Sequence, residues 1–171
     1  LLLWWLTVAA FDNAPWPHYA VNLGLHWINA LLLHAVLRRR VGSWWAVAGA
    51  LAFACSPVAA GTVAWLSDRF DLLATAGVLW MILVIDGARD RAWVATRLAL
   101  AAGVAAFSKE TAIAGVAWAI VAIPALSDLS RHRRVGLFTA AVAPFAAMLL
   151  VRQMVLTSTN SAGLFADPIA T

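Results

Sequence analysis

Charge is scarce in this sequence. Asp, Glu, Lys and Arg together supply 12% of the 171 residues, against 64% hydrophobic ones, and a water-soluble domain of this size does not carry that proportion. The scarcity excludes an ordinary soluble enzyme. Cysteine is scarcer still: Cys55 stands alone, which excludes an internal disulfide and any cysteine-based metal cluster. No phosphate-cradling glycine loop, no His-Glu-x-x-His and no Gly-x-Ser-x-Gly turn is present. The four histidines are too scattered to form a zinc site by spacing. No fixed-period repeat or low-complexity linker breaks the chain.

What the sequence does have is apolar runs, recurring from Leu1 to Leu156. A signal peptide followed by a globular domain would confine them to one end. Taking roughly 20 apolar residues as a membrane span, the runs are 18–37, 44–66, 70–85, 93–107, 111–126 and 136–156, after a truncated one at 1–10. The expected fold is all-α: a polytopic transmembrane helix bundle of about six full spans plus the truncated one. The chain opens Leu-Leu-Leu and closes on a polar stretch from Thr157. We therefore read 1–171 as a single transmembrane domain cut from a longer protein, its first span and first outer loop preceding Leu1. Pro57 removes a backbone donor and crowds the preceding turn, so the 44–66 run ends or bends there.

If alternate loops share a side, one side receives Arg38, Arg39, Arg40, Arg89, Arg91, Arg97, Arg131, Arg133 and Arg134, nine of the twelve basic residues. The positive-inside rule makes that side cytoplasmic. Residues 67–71, 108–110 and the C-terminal tail then face the exterior or periplasm. The net charge of +4 thus serves orientation, and no nucleic-acid partner is expected. Membrane lipids are.

Two charged clusters share the outer face. Asp68, Arg69 and Asp71 put three charges into four residues between apolar segments, and at mid-bilayer each would cost roughly 3 kcal/mol. They belong at the interface or around a wet cavity; a solvated turn with an Asp capping the next helix fits them equally well. Lys109 and Glu110 interrupt an otherwise charge-free stretch, where Ser108 is a reasonable N-cap of a bland hairpin. Together the five charges suit a lipid-linked phosphate or a sugar: Arg and Lys take phosphate oxygens, and a carboxylate acts as base or holds a cation. Asn22, His26 and Asn29 fall within about 60° of one another around a helix and form a polar stripe. Such stripes usually glue helices, at around 0.6 kcal/mol per hydrogen bond.

The order of these motifs resembles a family. Asn13-Ala-Pro-Trp-Pro-His-Tyr-Ala-Val-Asn22-Leu-Gly-Leu-His26-Trp-Ile-Asn29, then Ser56-Pro57-Val58 with Val63-Ala-Trp65-Leu-Ser67-Asp68-Arg69-Phe-Asp71-Leu-Leu-Ala74, then Phe107-Ser108-Lys109-Glu110-Thr111-Ala112 are similar to stretches of the GT-C superfamily of integral-membrane glycosyltransferases. The likeness is closest to bacterial relatives of the transmembrane, TPR-bearing O-mannosyltransferases. Tyr19 stands where that family usually has His, and Cys55-Ser56 replaces its residues before Pro57. The resemblance implies a multi-pass enzyme of the bacterial inner membrane. Such an enzyme transfers a sugar from a polyprenyl-phosphate donor to a protein, lipid or glycan acceptor on the outer face. It makes Arg69 and Lys109 the donor-phosphate ligands and Asp68, Asp71 and Glu110 the pocket carboxylates, with Asn22, His26 and Asn29 as the polar stripe behind. The catalytic carboxylate is expected in the first outer loop, before Leu1. No resident metal is assigned, although a divalent cation is compatible with the chemistry. Two other classes stay open: a transporter or flippase gated by the outer charges, and a non-catalytic membrane scaffold.

Overall fold

The computed structural model describes residues 2–11, 14–88 and 93–161. Asn13, Arg89, Asp90, Arg91 and the tail beyond 161 lie outside them. The described residues are helical, with no strand: α1 (Leu2–Phe11), α2 (Pro15–Val41), α3 (Ser43–Ala54), α4 (Pro57–Ala64), α5 (Arg69–Asp86), α6 (Val94–Ala106), α7 (Ile113–Ala122) and α8 (Arg131–Ser161). Short 3-10 turns at Leu66–Asp68 and Glu110–Ala112 precede α5 and α7.

Proline and glycine set the boundaries. Pro15 and Pro57 open α2 and α4, where a missing N–H costs nothing. A single residue, Gly42, joins α2 to α3 at φ +81°, a left-handed turn that a side chain would strain. As Pro57 predicts, the 44–66 run breaks: α3 and α4 meet at 50°.

Each of the six predicted full-length runs contains helix, but length and composition separate them. Two helices, α2 and the Arg131–Ser158 part of α8, are long and apolar enough to cross a membrane, and the bent α3–α4 pair makes a third if it is one span. That is consistent with a membrane protein. With 13 and 10 residues, α6 and α7 extend only about 20 Å and 15 Å, short of a hydrocarbon core of about 30 Å. Arg69, Asp71 and Asp86 lie within the 18 residues of α5. Large apolar side chains remain uncovered on α2 (Trp27, Leu31) and on α8 (Leu150, Met154, Val155), as lipid-facing positions are.

α3, α2, α5, α6 and α8 pack in that order, each on the next, with α7 filling in against α5 and α8. The core lies among α5 to α8, from Met81, Ile85, Leu98 and Ile123 to Phe145, with Ala101, Ala102 and Ala105 fully buried. Small residues let the backbones close in: a Cβ on Gly77 would meet the backbone of Ala105 at 2.7 Å.

Contacts sort the charges to opposite helix ends. Arg40 at the end of α2 pairs with Asp86 at the end of α5, and Arg39 donates to the Leu83 carbonyl. Arg134 in the first turn of α8 reaches the Pro124 carbonyl beyond α7. At the other end Lys109 meets Asp71, and Arg152 meets Glu110.

Candidate functional site

The polar stripe of α2 is the scaffold of the site. Asn22 and Asn29 are fully buried and His26 is 6% exposed, and each bonds to another helix's backbone. Asn22 Nδ2 donates to the carbonyls of Val63 and Trp65, His26 Nε2 bonds the Ala54 carbonyl at 3.1 Å, and Asn29 Nδ2 donates to the Leu72 carbonyl at 2.9 Å. Ala54 and Val63 close α3 and α4, where carbonyls have lost their intrahelical partners. His26 therefore satisfies a carbonyl freed at the break before Pro57, and Asn22 reaches those at the close of α4.

The same side chains keep acceptors in reserve. The Ala54 carbonyl can only accept, so His26 carries its proton on Nε2 and a neutral ring presents Nδ1 as a lone pair. His26 Nδ1 and Asn29 Oδ1 are both buried and lack a hydrogen-bond partner, an arrangement that costs stability unless something fills it. Both residues line one cavity of about 380 Å³, together with Asp71, Thr75, Ser56 and Thr62. A second, of about 420 Å³, shares His26 and adds Tyr19 from the N-terminal end of α2.

The charges expected to form one network divide into three. Lys109 Nζ bonds Asp71 Oδ2, the pair standing 40% and 32% exposed. The hydrogen bond to Asp71 is the chief reason the Lys109 ammonium titrates above the usual lysine value; desolvation opposes it, and the charges of Asp71, Asp68 and Glu110 add to it. Glu110 turns outward to Arg152 on α8. Arg69 turns inward and is 2% exposed. Its Nε donates to Asn22 Oδ1 at 3.0 Å, Nη2 to the His18 carbonyl at 3.0 Å and Nη1 to Thr7 Oγ1 at 3.4 Å. In this conformation Arg69 is a strut tying α5 to α2 and α1, and it lines neither cavity.

The capping roles differ from expectation too. Asp68 makes no side-chain cap at the start of α5. Ser108 Oγ donates back to the Val104 carbonyl at 2.6 Å, so it closes α6 instead of opening the next helix. Sequence reasoning missed Thr75, Ser56 and Thr62 as cavity walls, and His18 and Thr7 as partners of Arg69. The signals were helical: Thr75 stands one turn after Asp71, and His18 one turn before Asn22.

Among the described residues no group of three or more His, Cys, Asp or Glu is placed to hold a metal ion. The cavity wall instead combines His26 and Asn29 with Asp71, whose carboxylate carries Lys109. It suits a ligand that brings its own hydroxyl donors and a negative group. Compared with family models, curated proteins and solved structures, the chain matches none.

Proposed function

We propose that this protein is an integral-membrane glycosyltransferase, a bundle of about six spans. It takes a sugar from a polyprenyl-phosphate carrier and passes it to a protein, lipid or glycan acceptor on the outer face of the bacterial inner membrane. One observation carries the reading: His26 and Asn29, each with a buried acceptor atom that lacks a partner, line a cavity with Asp71, whose carboxylate holds Lys109. Sugar hydroxyls donate to the acceptors, and the Lys109 ammonium neutralises the phosphate as it leaves. Arg69 acts from behind the wall by fixing Asn22. Inversion follows if an acceptor hydroxyl, deprotonated by a carboxylate from the first outer loop, attacks the anomeric carbon as its bond to the phosphate oxygen breaks.

The test uses membranes holding the full-length protein and a radiolabelled polyprenyl-phosphate sugar. Release of polyprenyl phosphate by the wild type, lost in a properly inserted Lys109→Ala variant, supports the assignment. A wild type that releases none from any of several donors overturns it and brings the transporter and scaffold readings forward.

A further inference from the structure

At the opposite helix end from this cavity, the first turns of α8 and the close of α7 form a second feature. An open cleft of about 360 Å³ is lined by Ile123, Pro124, Arg131, Arg134, Val135 and Phe138. The four α8 residues follow the spacing i, i+3, i+4, i+7, so they share one helix face. That face is basic at its start and apolar beyond, with Val135 56% and Phe138 39% exposed.

Arg134 holds its guanidinium in a defined orientation. Nη1 donates to the Pro124 carbonyl at 3.3 Å. Nε is buried and has no partner. With Nη1 engaged and Nε enclosed, Nη2 is the guanidinium group left to meet a ligand, and a charge-assisted N–H bond there takes a phosphate oxygen. Among the described residues neither Arg131 nor Arg134 is in an ion pair. His132 and Arg133 follow on the same turn, and the acid nearest in sequence, Asp128, is exposed and bonded to Ser127.

We infer that this cleft binds an anionic phospholipid, the headgroup phosphate on Nη2 of Arg134 beside Arg131 and an acyl chain along Val135 and Phe138. Charge complementarity selects the headgroup: the turn carries Arg131, His132, Arg133 and Arg134, and Asp128 is engaged by Ser127. The apolar continuation of the face selects a lipid over a free anion, because a soluble phosphate would leave Val135 and Phe138 uncovered. α8 is one of the two helices long and apolar enough to cross a membrane, so its basic first turn belongs at headgroup level.

The test is lipid retention measured by native mass spectrometry on protein released from nanodiscs of equal phosphatidylglycerol and phosphatidylcholine. The wild type retains phosphatidylglycerol preferentially. Arg134→Gln reduces that retention about tenfold, the loss of one charge-assisted contact. Arg134→Lys, which keeps the charge without the planar group that the Pro124 carbonyl orients, falls between, and Arg97→Gln on α6 leaves retention unchanged. Circular dichroism verifies that each variant is folded; should Arg134→Gln be unfolded, Arg134→Lys and Phe138→Ala against Arg97→Gln decide. Equal retention of the two lipids by the wild type overturns the inference, as does a reduction by Arg97→Gln equal to that by Arg134→Gln. Complete displacement of lipid by excess inorganic phosphate also overturns it, assigning the cleft to a soluble anion.

Discussion

Lys109, in the turn after α6, closes an ion pair with Asp71 in the first turn of α5, 38 residues earlier in the chain. The pair locks the end of one helix to the start of its antiparallel neighbour beside the cavity that His26 and Asn29 line. Because the folded protein raises the lysine above its ordinary 10.5, the pair's contribution is fully present below that value. It disappears as pH climbs through the raised one. Thermal stability of the wild type therefore drops as pH rises above about 10.5, the ordinary lysine value. Lys109→Met removes that component of the drop. Melting curves across this alkaline range check it, and identical alkaline profiles for the two proteins would refute it.

Arg69 gives a different kind of prediction. Its Nε satisfies Asn22 Oδ1 in a buried setting, and that acceptor, once orphaned, costs roughly 1–3 kcal/mol; the His18 carbonyl, which Nη2 also reaches, lies inside α2 and keeps a helical partner. Arg69→Met lowers the melting temperature, and Asn22→Ala adds less to that variant than to the wild type, since the two share one bond. The coupling read from a double-mutant cycle is about 0.5–3 kcal/mol. Full stability in Arg69→Met would mean that the guanidinium faces a ligand and not the protein.

The contrast shows where sequence and structure part. The 3.6-residue spacing of Asn22, His26 and Asn29 sets them on one face of any helix that contains them, and Pro57 marks the break because a missing N–H is a covalent fact. The direction of Arg69 is not such a fact. Placed in sequence beside Asp68 and Asp71, it looks like part of an outer cluster, yet a long side chain at the start of a helix can swing to either side. Only the packing of α5 on α2 reveals the acceptors that draw it inward. Ser108 illustrates the same limit: a hydroxyl between two helices caps whichever end lies within reach, here the Val104 carbonyl behind it. Span counting met a third limit, since apolar runs reveal composition while α6 and α7 stop after 13 and 10 residues.

Two glycines separate close packing from mere propensity. A methyl on Gly77 would lie 2.7–2.8 Å from the backbone and Cβ of Ala105, so Gly77→Ala must push α5 and α6 apart, at a cost of about 1–3 kcal/mol. Gly103 lies within α6, and a methyl there would meet nothing within 4 Å. Gly103→Ala is neutral or stabilises by up to about 1 kcal/mol through helix propensity alone. Denaturation midpoints of the two variants should therefore move in opposite directions or differ by several degrees. A pair of equal shifts would disprove the close approach at Ala105.

Asn29 tests whether the cavity exists for a ligand or for the fold. Its Nδ2 bond goes to the Leu72 carbonyl, which lies inside α5 and has a helical partner of its own, so little is orphaned when the amide is removed. Its Oδ1 is buried without a partner, which burdens the empty protein. Asn29→Leu, similar in volume, therefore leaves the melting temperature unchanged or raises it by the equivalent of about 1 kcal/mol, while release of polyprenyl phosphate from the labelled donor falls at least tenfold. That opposition of stability and activity marks an acceptor kept for a substrate. If the substitution instead lowers the melting temperature and leaves release intact, Asn29 is glue between α2 and α5, and substrate hydroxyls must find their acceptors elsewhere.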